Sequence, residues 1–349
     1  MRIIRKLQPL FLILALVFIV LLLRSQWAEL SSHTWRFRPA WLLASALFLL
    51  GAWALEIQIW RTLLHVVGGR LPYWPAARIW FLSAIVRYVP GNIWQPLSIT
   101  LLSQQRGVSP VATLTSVAFY QILVLLSALP IAGVYFGLTG NWGLLTGALQ
   151  AWTPLLAAAA LVPVAVFLVH PAVLVDVVNW VLVRLKRTPL ATAISRRMAL
   201  WVLLLAMADW LLWGLSFAML TFALEDYSAV EMLRLLPHLI AVYAIAYTIG
   251  LVSLITPSGL GVREGAFYLL LAPLLGGGTV TIAALAMRVW TTLGELIAAG
   301  VSLLWRDRPA PALGGAAVAD TGSAIAGSDA LAADTPADAP VPDASGGAA

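Results

Sequence analysis

A few ionisable side chains lie inside long apolar stretches of this sequence. Arg288 and Glu295 fall in the apolar run 279–305, and Arg263 and Glu264 precede that run in a stretch broken by proline and glycine. A charge in a bilayer core costs about 2.5–3.5 kcal/mol on insertion scales and usually faces a protein interior. Because Arg288 and Glu295 are seven residues apart, about two helical turns, they share one helix face.

These two arginines and two glutamates suit an anionic lipid headgroup. Guanidinium groups bind phosphate through paired hydrogen bonds, and the carboxylates hold the arginines in place or pair with the ligand. The alternative is that the four groups pair with one another and only pin the helices together.

Two further carboxylates lie in apolar runs. Asp209 is near the middle of 198–223, where it is a candidate proton relay or a hydrogen-bond partner for a neighbouring helix. Glu56 is near the end of 39–60, and we expect its carboxylate to reach the membrane surface there.

The composition indicates that the apolar stretches are membrane spans. Of the 349 residues, 61% are hydrophobic and 10% are charged, against about 45–50% and 25% in soluble domains. This excludes an ordinary soluble enzyme and a disordered chain. The formal net charge of +6 does not indicate a nucleic-acid partner, because membrane proteins collect Lys and Arg on cytoplasmic loops. The sequence has no cysteine, which excludes disulfides and thiolate metal sites.

Seven stretches have the length of membrane helices, about 20 residues each. They are 7–23, 39–60, 109–136, 152–170, 198–223, 236–255 and 279–305. The first follows three basic residues and precedes no cleavage site, so we predict an uncleaved anchor. Basic residues in 61–78 and 171–197 indicate that these loops and the N-terminus are cytoplasmic. The three arginines of loop 24–38 run against this assignment.

Two other apolar stretches, 79–107 and 256–278, are interrupted by helix-breaking residues. Non-helical backbone at membrane depth must be buried in protein or line a wet cavity. Paired broken segments in two halves of a chain are typical of transporter binding sites. The predicted substrate-binding residues are therefore Pro90, Gly91, Asn92, Trp94, Gln95, Pro257, Gly259, Gly261, Arg263, Glu264, Arg288 and Glu295.

The two broken stretches also correspond in order. Each has a break, a short apolar run, a Gly-containing turn and a long helix that starts at Ser109 or Thr279. This order indicates an internal duplication, with a chance likeness between membrane segments as the alternative. If 256–278 crosses the membrane as a broken helix, the halves are inverted and the C-terminal tail is cytoplasmic. If it re-enters, the tail is outside. The positive-inside rule favours the crossing.

The sequence divides into a membrane domain, 1–308, and a tail, 309–349. The tail is rich in Ala, Pro and Gly, carries five aspartates and has no apolar period, so we predict that it is disordered. Residues 174–190 mix basic and apolar side chains and are either an amphipathic surface helix or a plain basic loop. No hydrolase, nucleotide-binding or metalloprotease motif is present. We therefore expect no enzymatic activity, no cofactor and no metal site.

Residues 256–265, TPSGLGVREG, resemble the P-G-G-x-G-x-R-E signature of the lysylphosphatidylglycerol synthase transmembrane family. Residues 88–95, YVPGNIWQ, resemble the earlier motif of that family. The resemblance covers roughly 7–305 and implies an all-α polytopic protein with about 7–8 spans and a flippase-like role. Two departures are Ser258 in place of a glycine, and Tyr120-Gln121 where the family often has an acidic residue. The soluble aminoacyl-transferring domain of fused members has no counterpart here, so we expect a stand-alone member that does not aminoacylate lipid.

The predicted function follows from the two breaks and the Arg/Glu set. We expect an integral membrane protein that binds a lipid headgroup, either a phospholipid or a polyprenyl-phosphate-linked sugar, and moves it between leaflets. The alternative is a non-catalytic membrane partner of a separate glycosyltransferase. The sequence is also compatible with a membrane-embedded transferase and with a small-solute transporter, because a fold alone does not set function.

Overall fold

The computed structural model describes residues 24, 38–88, 93–139, 153–184, 186, 189–190, 192–252 and 261–304. These residues form ten α-helices and one 3₁₀ turn, Ile85–Tyr88, and contain no strand. The helices are α1 Pro39–Val66, α2 Tyr73–Ala84, α3 Trp94–Gln104, α4 Pro110–Thr139, α5 Thr153–Val169, α6 Ala172–Arg184, α7 Arg196–Leu224, α8 Ala229–Val252, α9 Val262–Leu275 and α10 Gly277–Leu304. The predicted all-α class is confirmed. The predicted anchor 7–23 and tail 309–349 lie outside the described residues.

Among the described residues, five helices are long and apolar enough to cross a membrane, namely α1, α4, α7, α8 and α10. A sixth span results if α5 and α6 are counted together, although they are bent by 92° at their junction. The chain is therefore a multi-pass membrane protein, as predicted. The helix α6 covers residues 174–184 of the stretch predicted as an amphipathic surface helix or a plain basic loop, and its Trp180 and Val183 are exposed.

The helix ends define two faces of the bundle. On one, which we call the Glu225 face, the start of α1 meets the α7–α8 loop through an ion pair between Arg38 and Asp226. The start of α10 lies at the same face, because Thr279 donates a hydrogen bond to Glu225 at 2.8 Å. The opposite face, which we call the Thr192 face, contains the end of α1. There Thr192 donates to the carbonyl of Val66 at 2.9 Å.

Two short helices, α3 and α9, each precede a tight turn and a long helix. The turns contain Gly107 and Gly276, whose φ values of +79° and +83° favour glycine because other residues meet a Cβ clash there. The helix α10 starts at the Glu225 face. The helix α4 ends near that face, because Tyr135 in its last turns packs against His238 in the first half of α8, with ring centroids 5.6 Å apart. The two hairpins therefore run in opposite directions, and the halves are inverted.

Small residues let the long helices approach closely, which is how helices associate in lipid. Ser45 in α1 donates to the carbonyl of Ser216 in α7 at 2.8 Å. A Cβ at Gly214 in α7 would lie 2.6 Å from the Cα of Ile240 in α8. This packing fixes α1, α7 and α8 around the centre of the bundle, where the charged residues lie.

Candidate functional site

A cavity of about 730 Å³ lies among the helices, within the size range of small-molecule sites. Its lining includes six acidic and basic side chains: Glu56, Arg87, Asp209, Arg263, Arg288 and Glu295. Glu56 lies ten residues before the end of α1, roughly 15 Å along the helix, and Asp209 lies thirteen residues after the start of α7, roughly 20 Å. The cavity is therefore near the middle of a hydrocarbon core about 30 Å thick.

The α9–α10 hairpin pairs Arg288 with Glu264. Nη1 of Arg288 lies 2.5 Å from Oε1 of Glu264, and Arg288 is 6% exposed. Glu264 also accepts a hydrogen bond from the backbone N–H of Gly261 at 2.8 Å. Glu264 thus stabilises the start of α9 and holds the arginine of α10 at the same depth.

Arg87 pairs with Glu295. Nη2 of Arg87, in the 3₁₀ turn, lies 2.9 Å from Oε1 of Glu295 in α10, and Glu295 is 4% exposed. Arg87 is absent from the predicted site residues. The rule that selected Arg288, an arginine inside an apolar stretch, applies equally to Arg87 in 79–107 and was sufficient to find it.

Arg263 has a different environment from the other two arginines. Its guanidinium carbon lies 5.7, 5.7 and 5.6 Å from the ring centres of Tyr243, Tyr247 and Phe267, within the range of cation–π attraction. Its Nε and Nη2 are buried and have no hydrogen-bond partner in the described part of the chain. Arg263 therefore brings a positive charge and unused donors to the cavity, and three aromatic rings hold it there.

Glu56 lines the cavity and does not reach the membrane surface, so the expectation of a surface carboxylate was wrong. The hydroxyl of Tyr120 in α4 donates to Oε1 of Glu56 at 2.5 Å. The reason is that α1 continues to Val66, six residues beyond the apolar run that ends at residue 60, which places Glu56 at depth. Glu56 thus brings a carboxylate from α1 to Tyr120 in α4.

Asp209 is 6% exposed and belongs to the lining of the cavity. Its Oδ1 is buried and makes no hydrogen bond to any described residue. The next residue, Trp210, donates its indole N–H to Ser127 in α4 at 3.0 Å, which fixes α7 at this level. Within the described residues, no neighbouring helix donates a hydrogen bond to this oxygen of Asp209.

The remaining predicted residues divide into two groups. Gln95 lies in the first turn of α3 and lines the cavity, Trp94 is the first residue of α3, and Gly261 precedes α9 with φ +79°. The N-terminal ends of α3 and α9, which carry positive partial charge, thus lie at the cavity. Five predicted residues lie outside the described ones: Pro90, Gly91, Asn92, Pro257 and Gly259.

The chemistry of the site is that of ion pairs and hydrogen bonds around a central cavity. Among the two arginines and two glutamates of the predicted site, Arg288 and Glu264 pair with each other. Glu295 pairs with Arg87, and Arg263 contacts aromatic rings. No group of three or more His, Asp or Glu side chains among the described residues has a geometry that could hold a metal ion.

Comparison with known proteins matches most of the chain to a protein family. The family described as the lysylphosphatidylglycerol synthase TM region matches residues 10–299, a range that contains both broken segments and all of the charged residues of the cavity. No curated protein matches the chain. Since the match covers more than half of the 349 residues, the chain belongs to the lysylphosphatidylglycerol synthase transmembrane-region family.

Proposed function

We propose that the cavity binds the phosphate of an anionic lipid headgroup and that the protein moves this headgroup between the leaflets of the membrane. The observation that carries the proposal is the guanidinium of Arg263, which lies at a mid-membrane cavity and has no carboxylate partner among the described residues. An arginine offers planar paired donors that match phosphate oxygens.

The environment of Arg263 supports a role in binding. Arg87 and Arg288 are each neutralised by a glutamate, so their charges are already compensated. Tyr243, Tyr247 and Phe267 attract the Arg263 cation through their ring faces without occupying its N–H donors. An anionic oxygen entering the cavity would complete those hydrogen bonds, and a buried unsatisfied donor costs about 1–3 kcal/mol.

The two inverted hairpins support movement of the bound group. Inverted repeats with half-helices that end at the membrane midplane are typical of transporters, in which a central site opens to either side. Here α3 and α9 have their N-terminal ends at the cavity and lead to opposite faces of the bundle. The lipid tails would remain in the bilayer while the headgroup passes through the cavity. This activity breaks no covalent bond, so we propose a role that is not enzymatic.

The distribution of charge supports an orientation in a bacterial inner membrane. The Thr192 face carries Arg70, Arg106, Arg196 and Arg197 at helix ends, whereas the Glu225 face carries Glu225, Asp226 and Glu231 together with Arg38 and Arg234. We propose that the Thr192 face is cytoplasmic, because Lys and Arg accumulate on that side. With the same rule, the N-terminus is cytoplasmic.

The test uses purified protein in liposomes that carry phosphatidylglycerol with a fluorescent headgroup-proximal label in both leaflets. A membrane-impermeant reductant bleaches the outer leaflet, and bleaching beyond about half of the label reports movement. We expect movement with the unaltered protein and loss of movement with Arg263→Ala. Arg184→Ala, in the surface helix α6, is the matched control and should leave movement unchanged.

Two results would contradict the proposal. If Arg263→Ala and Arg288→Ala both leave movement at the unaltered rate, the cavity is not the site. If the unaltered protein moves no lipid and instead co-purifies with a glycosyltransferase, the role of a membrane partner replaces that of a transporter.

A further inference from the structure

We infer that Asp209 is a proton-binding site, so that each anionic headgroup bound at Arg263 enters the cavity together with one proton. The inference rests on the proposed function and adds the ion that accompanies the lipid. It follows from the charges around the cavity and from the position of Asp209 among them.

Each helix packed against α7 carries titratable or charged side chains, except α5, which has none in its described residues. The acids are Glu56 from α1 and Glu295 from α10, which line the cavity, and Glu264 from α9, which pairs with the lining Arg288 at 2.5 Å. The arginines are Arg87 from the 3₁₀ turn, Arg263 from α9 and Arg288 from α10. The tyrosines are Tyr120 from α4 and Tyr243 and Tyr247 from α8.

The net charge of these side chains makes it unfavourable for an anion to bind without a proton. With every acid ionised, Asp209 and the three glutamates give −4 and the three arginines give +3, a total of −1. A phosphate diester would bring the total to −2 inside a membrane, where charge–charge repulsion is weakly screened. Uptake of one proton with the phosphate keeps the total at −1.

Asp209 is the acid that gains most from protonation. Glu264 and Glu295 each accept an arginine at 2.5 and 2.9 Å, and Glu56 accepts the hydroxyl of Tyr120 at 2.5 Å. Asp209 is 6% exposed, and its Oδ1 has no donor among the described residues. Burial without donors penalises a carboxylate far more than a neutral carboxylic acid.

The step is a reversible proton transfer. As the phosphate binds, the Asp209 carboxylate takes up a hydronium proton from the aqueous solution on the side of the membrane from which the headgroup enters and becomes a carboxylic acid, and no hydroxide is left in the cavity. When the headgroup leaves, the acid returns the proton to water on that side. The lipid anion and the proton therefore move in the same direction, and a proton gradient across the membrane drives the headgroup with it.

The test measures proton uptake when a short-chain lipid binds. Dioctanoyl phosphatidylglycerol is titrated calorimetrically into the full-length protein in detergent, in buffers with different ionisation enthalpies, between about pH 5.5 and 8.5. We expect about one proton taken up per lipid, with an affinity that rises by up to about tenfold for each pH unit lowered. Inorganic phosphate, titrated in parallel, separates a lipid ligand from free phosphate.

Variants assign the proton to one residue. Asp209→Asn resembles the protonated acid, so it should bind the lipid with no proton uptake and, at high pH, more tightly than the unaltered protein. Glu56→Gln should retain the uptake. Asp176→Asn, on the exposed helix α6, is the matched control and should behave as the unaltered protein.

The outcomes separate this inference from the proposed function. Lipid binding by the unaltered protein with no proton uptake overturns the inference and leaves the function intact, and this measurement needs no variant to fold. Absence of lipid binding overturns both. Uptake that persists in Asp209→Asn and disappears in Glu56→Gln overturns the assignment to Asp209. Equal binding and proton uptake with inorganic phosphate overturns the lipid as the ligand.

Discussion

Arg87 and Glu295 form an ion pair of 2.9 Å although they are 208 positions apart in the chain. The pair joins the segment just before the first break to the long helix that follows the second. Glu295 is almost fully buried, and both side chains line the cavity. The two inverted halves of the protein are therefore connected at the proposed binding site.

Removal of one partner of this pair should be costly. In Arg87→Ala, Glu295 keeps a buried charge without this counterion, and we expect the free energy of unfolding to fall by about 3–5 kcal/mol. Denaturant unfolding in detergent micelles measures the change. Arg38→Ala, which breaks an ion pair with exposed partners at the Glu225 face, is the control and should cost at most about 1 kcal/mol. Equal losses for the two variants would contradict the buried pair.

The contact of α7 with α8 depends on Gly214. A Cβ there would lie 2.6 Å from the Cα of Ile240, so Gly214→Ala must push the two helices apart, and we expect a loss of about 1–3 kcal/mol. Gly300 in α10 has no atom within 4 Å of an added Cβ. Gly300→Ala should therefore be neutral or stabilising by up to about 1 kcal/mol. Thermal unfolding of both variants measures the two changes in stability. Equal changes for Gly214→Ala and Gly300→Ala would show that α7 and α8 are not in close contact at Gly214.

The aromatic rings around Arg263 should affect lipid affinity through cation–π attraction between the ring faces and the guanidinium. Tyr247→Phe keeps a ring 5.7 Å from the guanidinium, and we expect affinity within about twofold of the unaltered protein. Tyr247→Leu removes the ring, and loss of a cation–π contact of about 0.5–2 kcal/mol corresponds to about 2- to 30-fold weaker binding. Titration with dioctanoyl phosphatidylglycerol measures both. Similar losses of lipid affinity in the two variants would show that the hydroxyl of Tyr247, and not its ring, contributes to binding.

The hydroxyl of Tyr120 should stabilise the carboxylate of Glu56. Tyr120→Phe removes the 2.5 Å hydrogen bond and leaves a charge in the cavity with one donor fewer, so we expect a loss of about 1–3 kcal/mol in the free energy of unfolding. Glu56→Gln in the same background should recover part of that loss, because a neutral amide is less costly there. A double-mutant cycle of these two changes gives the coupling, and a coupling near zero argues against the contact.

Most of the features that define this site are local, and the sequence was sufficient to predict them. Apolar runs marked the membrane helices, glycines marked the turns at Gly107 and Gly276, and an arginine inside an apolar stretch is recognisable wherever it occurs. For the arrangement of the halves, the positive-inside rule favoured inversion, with a re-entrant 256–278 as the alternative.

The pairing of the charges could not be predicted in this way. The seven-residue spacing placed Arg288 and Glu295 on one face of α10, yet Arg288 pairs with Glu264 across the Gly276 turn and Glu295 pairs with Arg87. Partner choice depends on which helices pack together, and helical spacing contains no information on that. Glu56 was misplaced for a related reason, because α1 extends beyond its apolar run and the depth of a residue is set by the helix.

Native mass spectrometry of the protein purified in mild detergent shows whether Arg263 holds a phosphate-bearing lipid in the cavity. We expect the unaltered protein and Arg184→Ala to retain a phosphate-containing lipid at about one per chain, and Arg263→Ala to retain none. Retention of the same lipid by Arg263→Ala, or absence of any bound lipid from all three proteins, would contradict this role of Arg263.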